Sequence, residues 1–479
     1  MSTAAKKTMA LDFVEPGDGS FDNSAVTTKV PEGVTQKMLY KDIIYIAWPA
    51  LVELTLTQLT SMADLMMVGQ LGPWAITAVG LCNQPKFLLN TAFMAMNVGA
   101  TAMVARYKGA GEPEKANKIM RQALVMTLCF SLIATVLGLL FTEPLIHFLG
   151  SSDDPQAFAG AVEYFRIQMY GLVGLALTST VTATLRGVGS SRTAMVYNVT
   201  ANVVNVIGNY VLIYGNFGAP RMEVAGASLA TIIGQFTAMI LAFISLFSGK
   251  FYLKLKIGDS FKPDFGEMKR IAKIGLPAMG EQLIMRAGMI LFVKTVSSLG
   301  TMAFATHQVC MNIQALSFMT GQAFGTSSTS LVGQSLGKKR PDMAQAYSLR
   351  TRRISMCVAL LLTATFLFFG EFIVSLYNND PQIVATGGKI LMFVAFVQPF
   401  QSSQFVLSGA LRGAGDTKAV AKIIFITTLL IRPFLAMFLI NVIGFGLEGA
   451  WIALVTDQLV RTLLIWRRYN SGKWKSIRV

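Results

Sequence analysis

Long apolar runs, separated by short polar connections, recur along nearly the whole chain. A run of about 20 apolar residues is long enough to cross the hydrocarbon core of a bilayer. Because backbone polar groups in lipid must be satisfied within the segment, each run is predicted to be an α-helix. The twelve predicted spans are 44–68, 75–105, 122–141, 164–185, 192–214, 225–247, 271–297, 303–333, 352–374, 388–411, 418–440 and 447–467. The pattern predicts an all-α integral membrane protein.

The composition supports a membrane protein and excludes an ordinary soluble domain. Hydrophobic residues make up 53% of the chain and charged residues only 14%, whereas soluble domains carry about 25% charged residues. A net charge of +16 would favour nucleic acid as a partner of a soluble domain, but here the basic residues lie between the apolar runs. We therefore predict no nucleic-acid partner and expect membrane lipid and a small-molecule substrate instead.

Charges in the connections orient the predicted spans. Basic residues cluster after spans 2, 6 and 8, where they are Arg106, Lys108, Lys115, Lys118 and Arg121, then Lys250, Lys254, Lys256, Lys262, Lys269, Arg270 and Lys273, then Lys338, Lys339, Arg340, Arg350, Arg352 and Arg353. The connections 69–74, 142–163, 298–302 and 441–446 contain no Lys or Arg, and 142–163 contains Glu143, Asp153, Asp154 and Glu163. By the positive-inside rule, both termini of a multi-pass plasma-membrane protein are predicted to be cytoplasmic.

The second half of the chain repeats the first. The sequence WPALVE at 48–53 aligns with LPAMGE at 276–281, an offset of 277 − 49 = 228, and LRGVG at 185–189 aligns with LRGAG at 411–415, an offset of 226. Two six-span halves with the same orientation are parallel repeats, which transporters relate by a pseudo-two-fold axis along the membrane normal. The predicted organisation is a disordered cytoplasmic tail (1–40), an N-lobe (41–247), a cytoplasmic linker (248–270), a C-lobe (271–467) and a basic cytoplasmic tail (468–479).

These features resemble the multidrug and toxic compound extrusion (MATE) transporters over about residues 40–470, with mixed NorM-like and DinF-like features. The resemblance is carried by PALVELTLTQLTSMADLMMVGQLG at 49–72, by the paired LRG motifs, above all LRGAGDTK at 411–418, and by the 6+6 arrangement. It implies two six-helix bundles around a V-shaped cavity. It also implies efflux of amphipathic, often cationic, toxic compounds in exchange for inward Na⁺ or H⁺, without another cofactor and in a monomer.

Asp64 is the strongest site candidate. A carboxylate near the centre of a span costs about 2.5–3.5 kcal/mol, and the repeat equivalent of Asp64 is Phe292 (64 + 228 = 292), so the architecture does not require an acid there. A functional role is favoured over the alternative, in which polar neighbours neutralise Asp64 and the residue has no function. The resemblance places the N-lobe ion-coupling carboxylate at Asp64, fifteen residues after Pro49, where it is a candidate Na⁺ ligand.

Two glutamates occupy equivalent positions after the helix-bending prolines. Glu53 follows Pro49 and Glu281 follows Pro277, each by four residues. Such residues can hydrogen-bond loosened backbone or bind a coupling ion, and for Glu53 both readings stay open. Glu281 is favoured for ion coupling, because Gln401 stands where NorM-type members carry Asp.

Further polar and adaptable side chains are predicted to line the substrate cavity. Asn202, Asn205 and Asn209 form a helical stripe, and NVIGNY at 205–210 resembles NorM-type members. This stripe can line a pathway or hydrogen-bond neighbouring helices. Methionine offers a polarizable surface for varied ligands. The other cavity candidates are Gln401, Gln404, Met62, Met311 and Arg286. His307 is expected to pack, and Asp457 is expected to form an i,i+4 ion pair with Arg461.

Two other functions are kept as alternatives to an ion-coupled drug antiporter. A lipid-linked precursor flippase of the same superfamily is suggested by Arg286, Lys294 and Arg432 in the second half. A membrane receptor or intramembrane enzyme is disfavoured by the long repeat, by the absence of HExxH and Walker A motifs, and by the absence of a GxSxG motif in a strand-turn-helix context. The four cysteines lie in apolar segments without metal-ligand spacing, so no metal cluster or disulfide framework is predicted.

Overall fold

The computed structural model describes residues 9–15, 17, 30–149, 155–377 and 380–477. All regular secondary structure in these residues is helical, which agrees with the predicted all-α class. Asp153 and Asp154 of the predicted acidic connection lie outside the described residues, as do 1–8, 16 and 18–29 of the predicted N-terminal tail and the last two residues of the C-terminal tail.

Twelve long helices correspond one to one with the predicted spans. In the first half they are α1 (Gln36–Gly69), α2 (Pro73–Gly109), α3 (Pro113–Leu140), α4 (Pro155–Gly187), α5 (Ser191–Tyr214) and α6 (Glu223–Phe247). In the second half they are α7 (Phe265–Ser297), α8 (Thr301–Gly337), α9 (Pro341–Ser375), α10 (Pro381–Gly413), α11 (Thr417–Asn441) and α12 (Gly446–Asn470). A short helix, Thr142–Phe148, follows α3. The prediction of twelve spans is confirmed.

Nine of the twelve helices are long and apolar enough to cross a membrane by length and composition, within the described ranges. The other three, α4, α8 and α12, carry many of the buried polar side chains, among them Gln168, His307, Gln314 and Asp457. A helix that hides polar groups among its neighbours has a lower hydropathy than one that faces lipid. The weaker apolar character of these helices therefore reflects packing inside a bundle.

The chain divides into two compact units. The N-unit comprises Val52–Lys108 and Glu112–Gly275, and the C-unit comprises Met1–Leu51, Gly109–Gly111 and Leu276–Val479. The boundaries inside α1 and α7 fall within three residues of a proline, Pro49 in α1 and Pro277 in α7. A proline removes one backbone hydrogen bond and loosens the helix at that point. The first turns of α1 and α7 thus belong to the opposite unit from the rest of the helix, an exchange that the predicted lobes do not contain.

Part of the predicted N-terminal tail is packed onto the C-unit. A 3₁₀-helix spans Ala10–Phe13, and Leu11 and Val14 are buried in one apolar cluster with Leu39 and Tyr347. The backbone N–H of Ala10 donates to the Asp42 carboxylate at 2.7 Å. The described part of this segment therefore contributes apolar side chains and a backbone donor to the folded unit.

Candidate functional site

Asp64 lies in the N-unit against two asparagines of α5. Asn209 donates a hydrogen bond from Nδ2 to Asp64 Oδ1. With its amide turned so that the oxygen accepts from Thr231, Asn205 also donates to Asp64, at 3.0 Å to Oδ1 and 3.3 Å to Oδ2. Asn205 and Asn209 are buried, whereas Asp64 is partly exposed. The structure therefore places two of the predicted asparagines against the predicted carboxylate of Asp64, which is partly exposed.

The chemistry of this site suits a small cation. Asp64 forms no salt bridge within the described ranges, although the Lys86 ammonium is near enough to interact with it electrostatically. Asn209 Oδ1 is buried and has no hydrogen-bond partner among the described residues. Carboxylate and amide oxygens are ligands that hard cations accept. Lys86 was missed by sequence reasoning, although a lysine directly after Pro85 within a predicted span was an available signal.

The remaining N-unit candidates lie along the same two helices. Asn202 donates to Thr57 Oγ1 at 3.0 Å, so this member of the stripe joins α5 to α1 through a hydrogen bond. Met62, two residues before Asp64, is partly buried. All three asparagines of the stripe therefore hydrogen-bond α5 to α1, Asn202 at Thr57 and Asn205 and Asn209 at Asp64. The lining of a pathway by this stripe stays a prediction.

Glu53 is neutralised by the arginine of the first LRG motif. Arg186 Nη2 lies 2.7 Å from Glu53 Oε1, and Asn198 Nδ2 donates to the same oxygen at 2.6 Å. The Glu53 side chain is only 7% exposed. A buried carboxylate that is paired with a guanidinium has its charge already balanced. The geometry favours the structural reading of Glu53.

The C-unit repeats this pair. Arg412, the arginine of the second LRG motif, forms a salt bridge with Glu281, which is almost completely buried. The sequence offsets are 281 − 53 = 228 and 412 − 186 = 226, so the two bridges join equivalent residues. The arrangement favours the same structural role for Glu281 and weakens the expectation that Glu281 replaces a C-lobe coupling acid. Sequence reasoning identified the LRG motifs but not their arginines as partners of these glutamates.

We expect Glu53→Gln and Glu281→Gln to lower thermal stability by similar amounts, because each change leaves a largely buried guanidinium without its counter-charge. The measurement is the melting temperature of the purified protein. Glu143→Gln is the matched control, since Glu143 forms an exposed pair with Arg166 and exposed pairs contribute only about 0–1 kcal/mol. A Glu281→Gln protein with wild-type stability but no transport would instead assign ion coupling to Glu281.

The C-unit contains a buried charge cluster, Arg432–Asp457–Arg461. Arg432 Nε donates to Asp457 Oδ2 at 2.9 Å, and Arg461 Nη2 donates to Asp457 Oδ1 at 2.8 Å. The predicted pair between Asp457 and Arg461 is confirmed, and Arg432 is an addition from a different helix. Two guanidiniums share one carboxylate that is not exposed at all. The cluster carries a net positive charge.

In the C-unit, the helix position equivalent to Asp64 lies beside a positive charge and does not carry a negative one. The Arg432 guanidinium lies 5.8 Å from the ring centroid of Phe292, the repeat equivalent of Asp64. The His307 ring packs 5.6 Å from Phe292 and 5.5 Å from Trp451, in keeping with its predicted packing role. Equivalent helix positions therefore present a carboxylate in the N-unit and an aromatic ring beside an arginine in the C-unit.

The other C-unit candidates differ in their described neighbours. Gln401 is buried and lines a small cavity with Ser317 and Gln398, while Gln404 donates to Ser408 Oγ at 3.2 Å within α10. Met311 packs at the edge of the apolar cluster that contains Trp451, and Arg286 is partly buried on α7.

The chain is similar to known transporters over nearly its full length. The MatE family model matches residues 49–211 and 277–438, one match for each repeat. A "Probable multidrug resistance protein NorM" of Thermotoga maritima is 28% identical over 95% of this chain and 96% of its own length. The "Uncharacterized transporter YisQ" of Bacillus subtilis is 26% identical over 90% of this chain and 94% of its own length.

Solved structures share the fold. An outward-facing MATE-family multidrug resistance transporter superposes with a TM-score of 0.85 at 22% identity, covering 94% of this chain and 100% of that one. A MOP-superfamily transporter from Pyrococcus furiosus, described as having a binding pocket of reverse polarity, gives a TM-score of 0.84 at 22% identity over 92% of this chain and 97% of that one. With both repeats matched by the family model, the chain belongs to the MatE family, the multidrug and toxic compound extrusion transporters.

Proposed function

We propose that this transporter exports amphipathic, often cationic, organic compounds in exchange for inward Na⁺ or H⁺, with Asp64 as the coupling carboxylate. The observation that carries the proposal is the contrast among the intramembrane acids. Glu53, Glu281 and Asp457 are each bound by arginine, whereas Asp64 is partly exposed and held by asparagines. Among these four acids, Asp64 is therefore the one whose negative charge is not paired with an arginine and can bind an exchangeable cation.

One carboxylate that binds two species exclusively is sufficient for exchange. A proton or Na⁺ neutralises Asp64 and disfavours a cationic drug, and release of the ion restores the charge that attracts it. A ligand shifts a conformational equilibrium only by its differential affinity for the two states. Exclusive occupancy therefore links the direction of drug movement to the ion gradient. If Na⁺ is the ion, Asp64 and Asn209 Oδ1 are the residues that would hold it.

We further propose a plasma-membrane orientation with both termini cytoplasmic. The support is the alternation of basic and non-basic connections along the chain. A reporter fused after residue 145 is expected to give an external signal, and an internal signal would contradict the orientation.

The protein is proposed to act as a monomer, since each unit supplies its own candidate residues.

Dye transport in proteoliposomes tests the antiport proposal. Purified protein is reconstituted, and movement of a cationic dye is followed while a Na⁺ gradient and a proton gradient are imposed separately. We expect transport that requires one of the two gradients and stops when an ionophore dissipates it. Dye transport that neither gradient changes would contradict ion coupling.

A lipid-linked precursor flippase is the second candidate, favoured by the net positive Arg432–Asp457–Arg461 cluster. A precursor with an anionic diphosphate would suit such a charge. The same proteoliposomes, loaded with a fluorescent lipid-linked precursor, discriminate the two functions. We expect the dye to move and the precursor to stay in its original leaflet, and the reverse result would favour the flippase.

A further inference from the structure

The segment between α6 and α7, residues 248–264, is fixed to helix α3. The backbone N–H of Lys254 donates to Asn117 Oδ1 at 2.8 Å, and the backbone N–H of Asp264 donates to Gln122 Oε1 at 2.8 Å. These side-chain contacts replace the backbone pairing that an irregular segment lacks. The α6–α7 segment, predicted as a linker between lobes, therefore presents its side chains from a defined position on the N-unit.

The acids of the α6–α7 segment are already paired with α3. Lys118 Nζ lies 2.6 Å from Asp264, and Arg121 lies 3.3 Å from Asp259. The Lys118 ammonium, through this hydrogen bond, lowers the pKa of Asp264 below its usual range, so Asp264 stays ionised near neutral pH. In contrast, the Lys262 side chain is exposed and forms no salt bridge in the described part of the chain.

A groove runs between the α6–α7 segment and α3. Its volume is about 450 Å³ and its lining includes Lys118, Arg121, Ser260, Lys262 and Phe265. Three cationic residues and Ser260 line this space. Lys118 is paired with Asp264 and Arg121 with Asp259, which leaves Lys262 as the lining cation without a salt bridge among the described residues. Cationic and hydroxyl donors of this kind bind phosphate oxygens. The groove therefore fits a phosphate group.

Large exposed apolar side chains lie in the same segment and at the first residue of α7. Ile257 is 99% exposed, Phe265 79% and Phe261 44%. Exposing apolar area to water costs about 25 cal/mol per Å², so these side chains favour an apolar phase. Phe265 precedes the predicted start of the seventh span, at 271, by six residues, which is about 9 Å along a helix. The interfacial region is about 5–7.5 Å deep on each side of the hydrocarbon core, so that distance places Phe265 near its outer edge.

We propose that the α6–α7 segment lies on the membrane surface and binds the headgroup of an anionic phospholipid in the groove. The phosphate lies among Lys118, Ser260 and Lys262, while Ile257, Phe261 and Phe265 enter the headgroup–acyl boundary. Free phosphate would use only the cationic groups and would leave the apolar side chains in water. The combination of charge and exposed apolar area favours a lipid, as in other interfacial segments.

Lipid binding by the purified protein tests this site without any transport assay. Phosphatidylglycerol and phosphatidylcholine are titrated separately, and bound lipid is counted by native mass spectrometry. We expect the wild-type protein to prefer phosphatidylglycerol and Lys262→Gln to reduce that preference about fivefold, the loss expected for one lysine at an anionic surface. Lys473→Gln is the matched control, because Lys473 is an exposed lysine far along the chain from the groove, and it should keep the preference.

A second variant tests the apolar part of the site. Ile257→Ser combined with Phe265→Ser is expected to weaken binding of both lipids, since each loses acyl contacts. Size-exclusion chromatography checks that the variants remain folded, which is expected for exposed positions. The proposal is overturned if Lys262→Gln keeps the wild-type preference, or if inorganic phosphate alone removes the preference while the serine variant binds lipid normally. These outcomes do not depend on whether Asp64 couples transport to an ion.

Discussion

Asp64→Asn is expected to abolish gradient-driven efflux while the protein remains folded and membrane-inserted. The substitution keeps the size of the side chain and much of its hydrogen bonding to Asn205 and Asn209, but it removes the charge for which a cation and a cationic drug compete. Couplings between two ligands span about 5- to 150-fold in affinity. We expect the effect of Na⁺ or pH on drug affinity to fall from this range to none.

Two measurements check this prediction. Efflux of a cationic dye is compared between wild-type and Asp64→Asn proteoliposomes, and drug affinity is measured by equilibrium binding with and without Na⁺ and at two pH values. Glu143→Gln serves as the control, since it removes an exposed carboxylate paired with Arg166. Wild-type efflux by Asp64→Asn would show that the coupling group lies elsewhere.

Asp457→Ala is expected to destabilise the protein by about 3–5 kcal/mol, the range for breaking a buried ion pair by removing one partner. The change leaves the Arg432 and Arg461 side chains, which are only 8% and 4% exposed, without a counter-charge. Thermal or denaturant unfolding of the purified protein measures the loss. The control is Glu448→Ala. Glu448 lies on α12, as Asp457 does, and forms an exposed pair with Lys389 of α10, so its loss should cost no more than about 1 kcal/mol.

A combined variant separates charge from packing at this cluster. Replacing Asp457 by Leu together with Arg432 and Arg461 by Met removes all three charges and keeps much of the volume. Such replacements are often neutral or stabilising, so the combined variant should recover most of the stability that Asp457→Ala loses. An Asp457→Ala protein within 1 kcal/mol of wild type would contradict this electrostatic account.

The cluster also contacts an irregular helix. Residues Phe425–Ile431 of α11 form a π-helical stretch directly before Arg432 and Pro433. Arg461 Nε donates to Thr427 Oγ1 at 3.1 Å inside this stretch. A proline cannot donate to the preceding turn, and π-helical turns commonly occur where a helix accommodates such a disruption. Loss of the cluster is therefore expected to affect α11 as well as α12.

The sequence by itself determined the number of helices, their order, the repeat and the position of Asp64. Each of these follows from properties that act locally along the chain: an apolar run must become a helix in lipid, and a carboxylate within such a run is costly wherever the helix packs. The fixed offsets of 228 and 226 residues between the halves identified equivalent residues from the sequence alone. The twelve helices and the MATE resemblance that rested on these features are confirmed.

Apart from the Asp457–Arg461 pair, which its i,i+4 spacing predicted, the tertiary structure alone decided which charges are balanced. Glu53 and Arg186 are 133 residues apart, and Arg432 and Asp457 are 25 apart on different helices, so no helical period relates them. It also decided that the first turns of α1 and α7 join the opposite units. The helical period predicts which face of its own helix a residue occupies. The partner of a buried charge depends instead on which helices pack together. For this reason the sequence ranked three acids as coupling candidates, and the packing distinguished the carboxylate held by asparagines from those held by arginines.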